Sequence, residues 1–211
     1  MVGVQYSNAP WQGPDFILVG NSLAIDFANA EGGSGRGRSI GNWFDLIDFL
    51  GAVGIVTRSQ TELLRNLPME SPQIAEAAFR ISKKLQQGIC QLLEAIAEGR
   101  AVAAEAVIPI NDVLRFSEGH DHLERDERGG WRMGFRVREQ RLEWLLAGMA
   151  RSAAELVLNE SKGRIRRCAN PACGLYFRDV SKSGTRRWCE MSVCGNRRKV
   201  AAFAKRRQAW P

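Results

Sequence analysis

The chain has 211 residues, 45% of them hydrophobic and 25% charged, and a formal net charge of +7; this is the usage of a folded globular protein of one medium or two small domains, and it excludes a disordered, collagenous or coiled-coil chain. No apolar run approaches the roughly 18 residues of a membrane span, and the opening MVGVQYSNAPWQ lacks the basic and apolar regions of a secretory signal, so a cytoplasmic protein with no membrane partner is expected. The charge is unevenly placed: residues 162–211 hold 14 Lys and Arg against Asp179 and Glu190, a formal +12, whereas residues 1–161 hold 16 against 21, a formal −5, which suggests two modules with two kinds of partner.

Phe16-Ile17-Leu18-Val19 reads as a short buried strand, and Asn21-Ser22 as the cap of a helical turn from Leu23 to Asn29. Asp26 and Asn29 interrupt that apolar turn. They read as buried polar groups that hydrogen-bond backbone or each other, with a ligand pocket as the alternative. The Gly/Ser/Arg stretch from Glu31 to Ser39 lacks the GxxxxGK[ST] spacing of a phosphate loop and reads as a mobile loop, an anion cradle being the alternative.

Helical periodicity then dominates, over residues 42–53, 58–67, 72–98, 102–116 and 139–160. Thr57 to Gln60 has the form of a capping box, and Ser71-Pro72 opens the third of these helices with proline in its first turn. Between the last two, His120 to Arg138 surrounds Gly129-Gly130 with alternating residues and predicts a β-hairpin.

His120 and His122 share one face of that hairpin and read as surface residues without a visible third ligand. Cys90, next to Ile89, Leu92 and Leu93, reads as a buried core thiol, with a redox sensor as the alternative. Trp43, Phe44, Trp131 and Trp144 are expected in the core; a ligand pocket is the other reading, for which Asp26, Asn29 and Trp43 are the candidates. No catalytic set emerges, so an enzyme is not expected.

The tail carries the sharpest signal. Four of the five cysteines form Cys168-x4-Cys173, fifteen residues, then Cys189-x4-Cys194. Two thiol pairs at the ends of a short insert suit a tetrahedral structural zinc, since four soft thiolates fill the coordination shell and leave no place for a catalytic water. Iron–sulfur ligation and two disulfides are the alternatives, the latter needing an oxidising compartment.

Asn170-Pro171 and Gly174 supply turn residues around the first pair. Leu175-Tyr176-Phe177 reads as a strand, Ser181 to Thr185 as a hairpin turn before Arg186-Arg187-Trp188-Cys189, and Asn196 as the cap of a basic amphipathic helix. Part of the charge on Arg166, Arg167, Arg186 and Arg187 balances the net −2 of a zinc with four thiolates. The nucleic-acid candidates are Arg186, Arg187, Arg197, Arg198, Lys199, Lys205 and Arg206, with plain solvation, or a membrane surface or acidic protein as partner, as the alternatives.

The run Cys168-Ala-Asn-Pro-Ala-Cys173 through Arg187-Trp188-Cys189 to Cys194-Gly195-Asn196-Arg197 resembles the CGNR zinc finger. Leu23-Ala-Ile-Asp-Phe-Ala-Asn29 is similar to the opening of the ABATE domain that precedes that finger, with Ala30 where a threonine would be expected. The resemblance implies a bacterial stress-induced transcription regulator, with an α+β sensor domain ahead of a treble-clef finger that takes zinc on its four cysteines and binds DNA.

The expected fold class is therefore α+β: a mostly helical N-terminal domain with a small antiparallel sheet over residues 1–160, with an unidentified small molecule as its candidate ligand, then a treble-clef-like zinc finger with a basic C-terminal helix over 161–211. DNA is the expected partner, as a monomer or homodimer; an RNA- or ribosome-associated module and an enzyme sited in the N-terminal domain are the rival readings.

Overall fold

The computed structural model describes residues 16–31, 37–115, 119–125, 130–137, 142–158, 164–200 and 207. The chain runs α1 (Leu23–Asn29), α2 (Trp43–Ala52), α3 (Arg58–Glu70), α4 (Pro72–Ala97), α5 (Ala104–Arg115), β1 (Gly119–Arg125), β2 (Trp131–Val137), α6 (Trp144–Leu158), β3 (Ile165–Arg167), β4 (Tyr176–Arg178) and a π-helical turn, Met191–Gly195. Helix continues from that turn through residues 196–200. The fold is mostly helical, with β1 and β2 in one antiparallel pair and β3 and β4 in another.

The 26-residue α4 is the spine. Its apolar stripe Leu85, Ile89, Leu92 and Leu93 is fully buried, spaced as a helix needs to keep one face inward. Helices α1, α2, α3, α5 and α6 all pack on it, and Ile25, Phe27, Ile47, Phe49, Met149 and Ala150 complete the core. Gly88 lets α5 approach: a Cβ there would sit 2.6 Å from Pro109 Cγ and 2.8 Å from the Ala106 carbonyl.

Local chemistry sets the helix ends. Thr57 and Gln60 form the expected reciprocal cap of α3. Asn42, placed inside a helix by periodicity, instead caps α2 in a second box with Asp45, and Asp45 and Asp48 behind it are held by Arg38 and Arg65. Ser22 precedes α1 without capping it; its hydroxyl lies 2.9 Å from that of Ser152 on α6.

Polar side chains of α4 take over at the other end of α1. Gln86 Nε2 donates to the Phe27 carbonyl (2.7 Å), and the Cys90 thiol reaches the Ala28 carbonyl and the Glu31 carboxylate. Cys90 is thus half-buried at a helix junction rather than a core thiol. Burial and Glu31 push its thiol up, the opposite of a reactive thiolate.

Several other expectations are corrected. Phe16–Val19 forms no strand: the stretch meets β4 where the Arg178 N–H donates to the Gly20 carbonyl (2.8 Å), with no ladder along it. Phe44 and Trp131 lie at the surface, each beneath a guanidinium, Arg65 and Arg125 respectively, while Trp43 is buried and Trp144 packs on the core edge. The segment 186–189 is not the second strand of a hairpin; β4 pairs with β3 instead, in register Arg166↔Phe177. Of the loop between Glu31 and Ser39, residues 32–36 lie outside those described.

Asp26 is buried, and its carboxylate accepts the Gly20 N–H at 2.7 Å. A Cβ on Gly20 would lie 2.6 Å from Ile25 and 2.9 Å from that carboxylate, so the turn accepts only glycine. Burial raises the Asp26 carboxyl from 3.8 to about 7, against the lowering effect of the Gly20 and Val19 N–H groups. The folded protein therefore retains a proton that the unfolded chain releases first, and ionisation of Asp26 removes stability as pH rises from about 4 to about 7. Asp26→Asn keeps an acceptor and cannot ionise; relative to the parent it should gain ~1–4 kcal/mol between pH 4 and pH 8 in urea unfolding. A pH-independent difference between the two proteins would contradict this account of Asp26.

A four-cysteine centre and its basic surroundings

Cys168, Cys173, Cys189 and Cys194 converge from two loops that are distant in sequence, and their four sulfurs lie within 4.8 Å of one another, all buried. The first knuckle is closed by backbone: Cys168 N–H donates to the Leu175 carbonyl and Cys173 N–H to the Asn170 carbonyl. The second is the π-helical turn, where Cys194 and Gly195 N–H groups both return to the Glu190 carbonyl.

Thiolates at about 2.3 Å from one tetrahedral zinc stand about 3.8 Å apart. Cys173 and Cys189 sulfurs are 3.6 Å apart, and Cys189 and Cys194 sulfurs 3.7 Å. The spacing fits a single shared ion and is far beyond the roughly 2.05 Å of a disulfide, and none of the four cysteines is in a disulfide. N–H donors face the sulfurs: the Cys189 backbone N–H on Cys168 Sγ and Asn170 Nδ2 on Cys194 Sγ, each at 3.5 Å.

Burial pushes the Cys173 and Cys189 thiols up, and the neighbouring thiols add to the rise at Cys189. Burial acts the same way on Cys194, but the Asn170 amide and adjacent thiols outweigh it and bring that group down. A cation entering the site displaces protons from such thiols, so its affinity rises with pH.

The arginines around the sulfurs have two fates. Arg186 is turned inward: its Nε donates to the Trp188 carbonyl (2.9 Å), its Nη2 to the Cys189 carbonyl, and its guanidinium stacks 4.4 Å from the Phe177 ring centroid. Arg166 donates to the Gly184 and Arg186 carbonyls, and Arg164 to those of Asp179 and Ser181. Asp179 closes the loop from the other side, accepting the Ser181 N–H and hydroxyl and the Arg186 N–H. The Ser181 hydroxyl holds the Asp179 carboxyl below its ordinary range, against the effect of desolvation.

Arg187, Arg197, Arg198 and Lys199 are exposed, Arg187 with its guanidinium 5.6 Å from the Trp188 ring centroid. Lys205 and Arg206 lie outside the described residues. Asn196 is not a helix cap: it is already helical, with φ −66 and ψ −42, and its amide donates to the Ser192 carbonyl.

Each of the three candidate ligand residues in the N-terminal region is engaged by a backbone group of the protein. Asp26 holds Gly20, Asn29 holds Tyr176, and the Trp43 indole N–H donates to the Leu64 carbonyl. His120 and His122 fall on β1. Sequence reasoning placed Asn170 only as a turn residue and Arg166 only as a charge balancing the thiolates, and it gave Arg164 and Asp179 no part in ordering the loop, because their partners lie more than a turn away in the chain.

Comparison with known families follows this geometry. The family described as "Putative stress-induced transcription regulator", ABATE, matches residues 21–160, and the CGNR zinc finger matches residues 164–207. The chain belongs to the ABATE family. Its CGNR finger and buried four-cysteine cluster make a structural zinc site. No curated protein matches the chain. No helix among the described residues of this ABATE protein is long and apolar enough to cross a membrane.

Replacing one thiolate leaves three soft ligands and an uncompensated gap in a buried shell. Cys173→Ser or Cys189→Ser should therefore lower zinc, measured by elemental analysis, from about one per chain to well below half. Retention of a full equivalent would mean that the ligand set is misassigned.

Proposed function

We propose that the protein is a DNA-binding transcription regulator in which zinc, held by Cys168, Cys173, Cys189 and Cys194, presents a basic helix to duplex DNA. The observation that carries this reading is the exposure of Arg197, Arg198 and Lys199 immediately after the second knuckle, with Arg187 beside it. The site orders a short arginine-rich helix at the end of a chain whose first 161 residues carry a formal −5. That acidic body is repelled by phosphate, so the electrostatic attraction is confined to the finger.

Arg186 is removed from the contact set, because its guanidinium is committed to the Trp188 and Cys189 carbonyls and the Phe177 ring. Arg187, Arg197, Arg198 and Lys199, with Lys205 and Arg206 further along, are the phosphate and base contacts of this reading. Residues 1–160 then form the regulatory body, with a small ligand as its open partner, and residues 161–211 the finger. The metal is read as structural, since four thiolates leave it no open position for a substrate or water, and the chain as a regulator rather than an enzyme.

About six phosphates neutralised give a slope near −5 of log K against log salt. Arg198→Ala and Lys199→Ala should each reduce that slope by about 1, with zinc content unchanged. Arg186→Ala should instead lower zinc retention and finger stability. Fluorescence anisotropy on duplex DNA, with structured RNA as competitor, reads the slopes, and elemental analysis and thermal unfolding read zinc and stability; a slope near zero, or preferential displacement by RNA, would overturn the DNA assignment.

A further inference from the structure

The finger and the helical body exchange core residues. Ile165 on β3 is buried in the body's core and Tyr176 on β4 packs against it. In return Ile17 and Val19, which precede α1, pack on the cysteine-lined core of the finger beside Leu175 and Phe177. Neither apolar cluster is complete within one of the two family-matched stretches.

Backbone hydrogen bonding follows the same exchange. Asn29, the last residue of α1, uses its side-chain amide as a peptide group: Oδ1 accepts the Tyr176 N–H and Nδ2 donates to the Tyr176 carbonyl, both at 2.9 Å. One turn of helix before α1, the Gly20 carbonyl accepts the Arg178 N–H at 2.8 Å and Asn21 Nδ2 donates to the Arg178 carbonyl at 3.1 Å. Two alternate residues of β4 are therefore paired, on both their N–H and C=O groups, by Asn29 at the end of α1 and by Gly20 and Asn21 ahead of its start.

The same α1 is tied to the body at both ends. Ser152 of α6 bonds Ser22 and the Ala24 N–H, and Gln86 of α4 bonds the Phe27 carbonyl. A strand of only three residues, β4, thus gains its second hydrogen-bonded edge from the body, and a two-stranded pair alone is marginal.

We propose that Asn29 is the clasp that joins finger and body into one cooperative unit, so that metal binding at the four sulfurs stabilises α1 as well as the finger. Zinc fixes the knuckle that ends at Leu175, Leu175 leads into Tyr176, and Tyr176 is held by Asn29. Loss of the ion frees the knuckle, withdraws the β4 edge and leaves the Asn29 amide, the Gly20 carbonyl and the Ile17 and Val19 side chains without their partners.

The test is amide hydrogen exchange on the full-length chain, loaded with zinc and after chelation, with zinc measured by elemental analysis in each sample. Chelation should accelerate exchange over residues 20–29 on the order of tenfold or more, the scale of two net hydrogen bonds, besides exposing 164–200. Acceleration confined to 164–200 would overturn the proposal. Asn29→Ala, with zinc still bound, should lose protection at Tyr176 and shrink the zinc-dependent difference over 20–29; a difference of parental size would show that coupling does not run through Asn29. The comparison with and without zinc in the parent chain decides whether finger and body form one cooperative unit even where the variant does not fold.

Discussion

Everything in the C-terminal quarter depends on four sulfurs sharing one cation. Between Ile165 and Gly195 the regular structure amounts to two three-residue strands and one π-helical turn, and the buried apolar side chains there other than the cysteines are few. So little buried surface does not offset the conformational entropy of ordering about thirty residues. Metal–thiolate bonds replace the missing core, and their binding free energy is the folding free energy of such a module.

Around that centre the charge is arranged in two shells. The inner arginines, Arg164, Arg166 and Arg186, spend their donors on carbonyls of the 179–189 loop, where a buried carbonyl without a partner would be costly. The outer ones, Arg187 and the three basic residues after Asn196, stay in solvent. The arginines thus fall into two sets: one ties down an irregular loop through its carbonyls, and the other stays exposed beside it.

What the sequence revealed was local. The cysteine pairs were legible because metal ligation demands particular atoms at short spacing, and the Thr57–Gln60 box and the Ser71-Pro72 helix start because their partners lie within one turn. The Asn42–Asp45 box is equally local but was hidden by a helical pattern that already extended over Asn42. Asn29 and Tyr176 are 147 residues apart, and nothing in LAIDFAN says that its amide answers a strand rather than a ligand. Arg186 and Arg187 are adjacent and chemically identical; only the fold turns one inward onto Phe177 and leaves the other beside Trp188. The strand expected at 186–189 failed for a related reason: the Arg186 N–H is taken by Asp179 and the Arg187 carbonyl by Ala169, so no ladder is left to form.

The same distinction orders the contacts of α1, which is bonded to α6 and α4 through Ser152 and Gln86 and to β4 through Asn29. Extended X-ray absorption at the zinc edge of the purified full-length protein tests the central claim most directly. Four sulfur neighbours at about 2.3 Å are predicted; a shell with nitrogen or oxygen in place of any sulfur, or a protein that folds with its cysteines joined in disulfides, would contradict it.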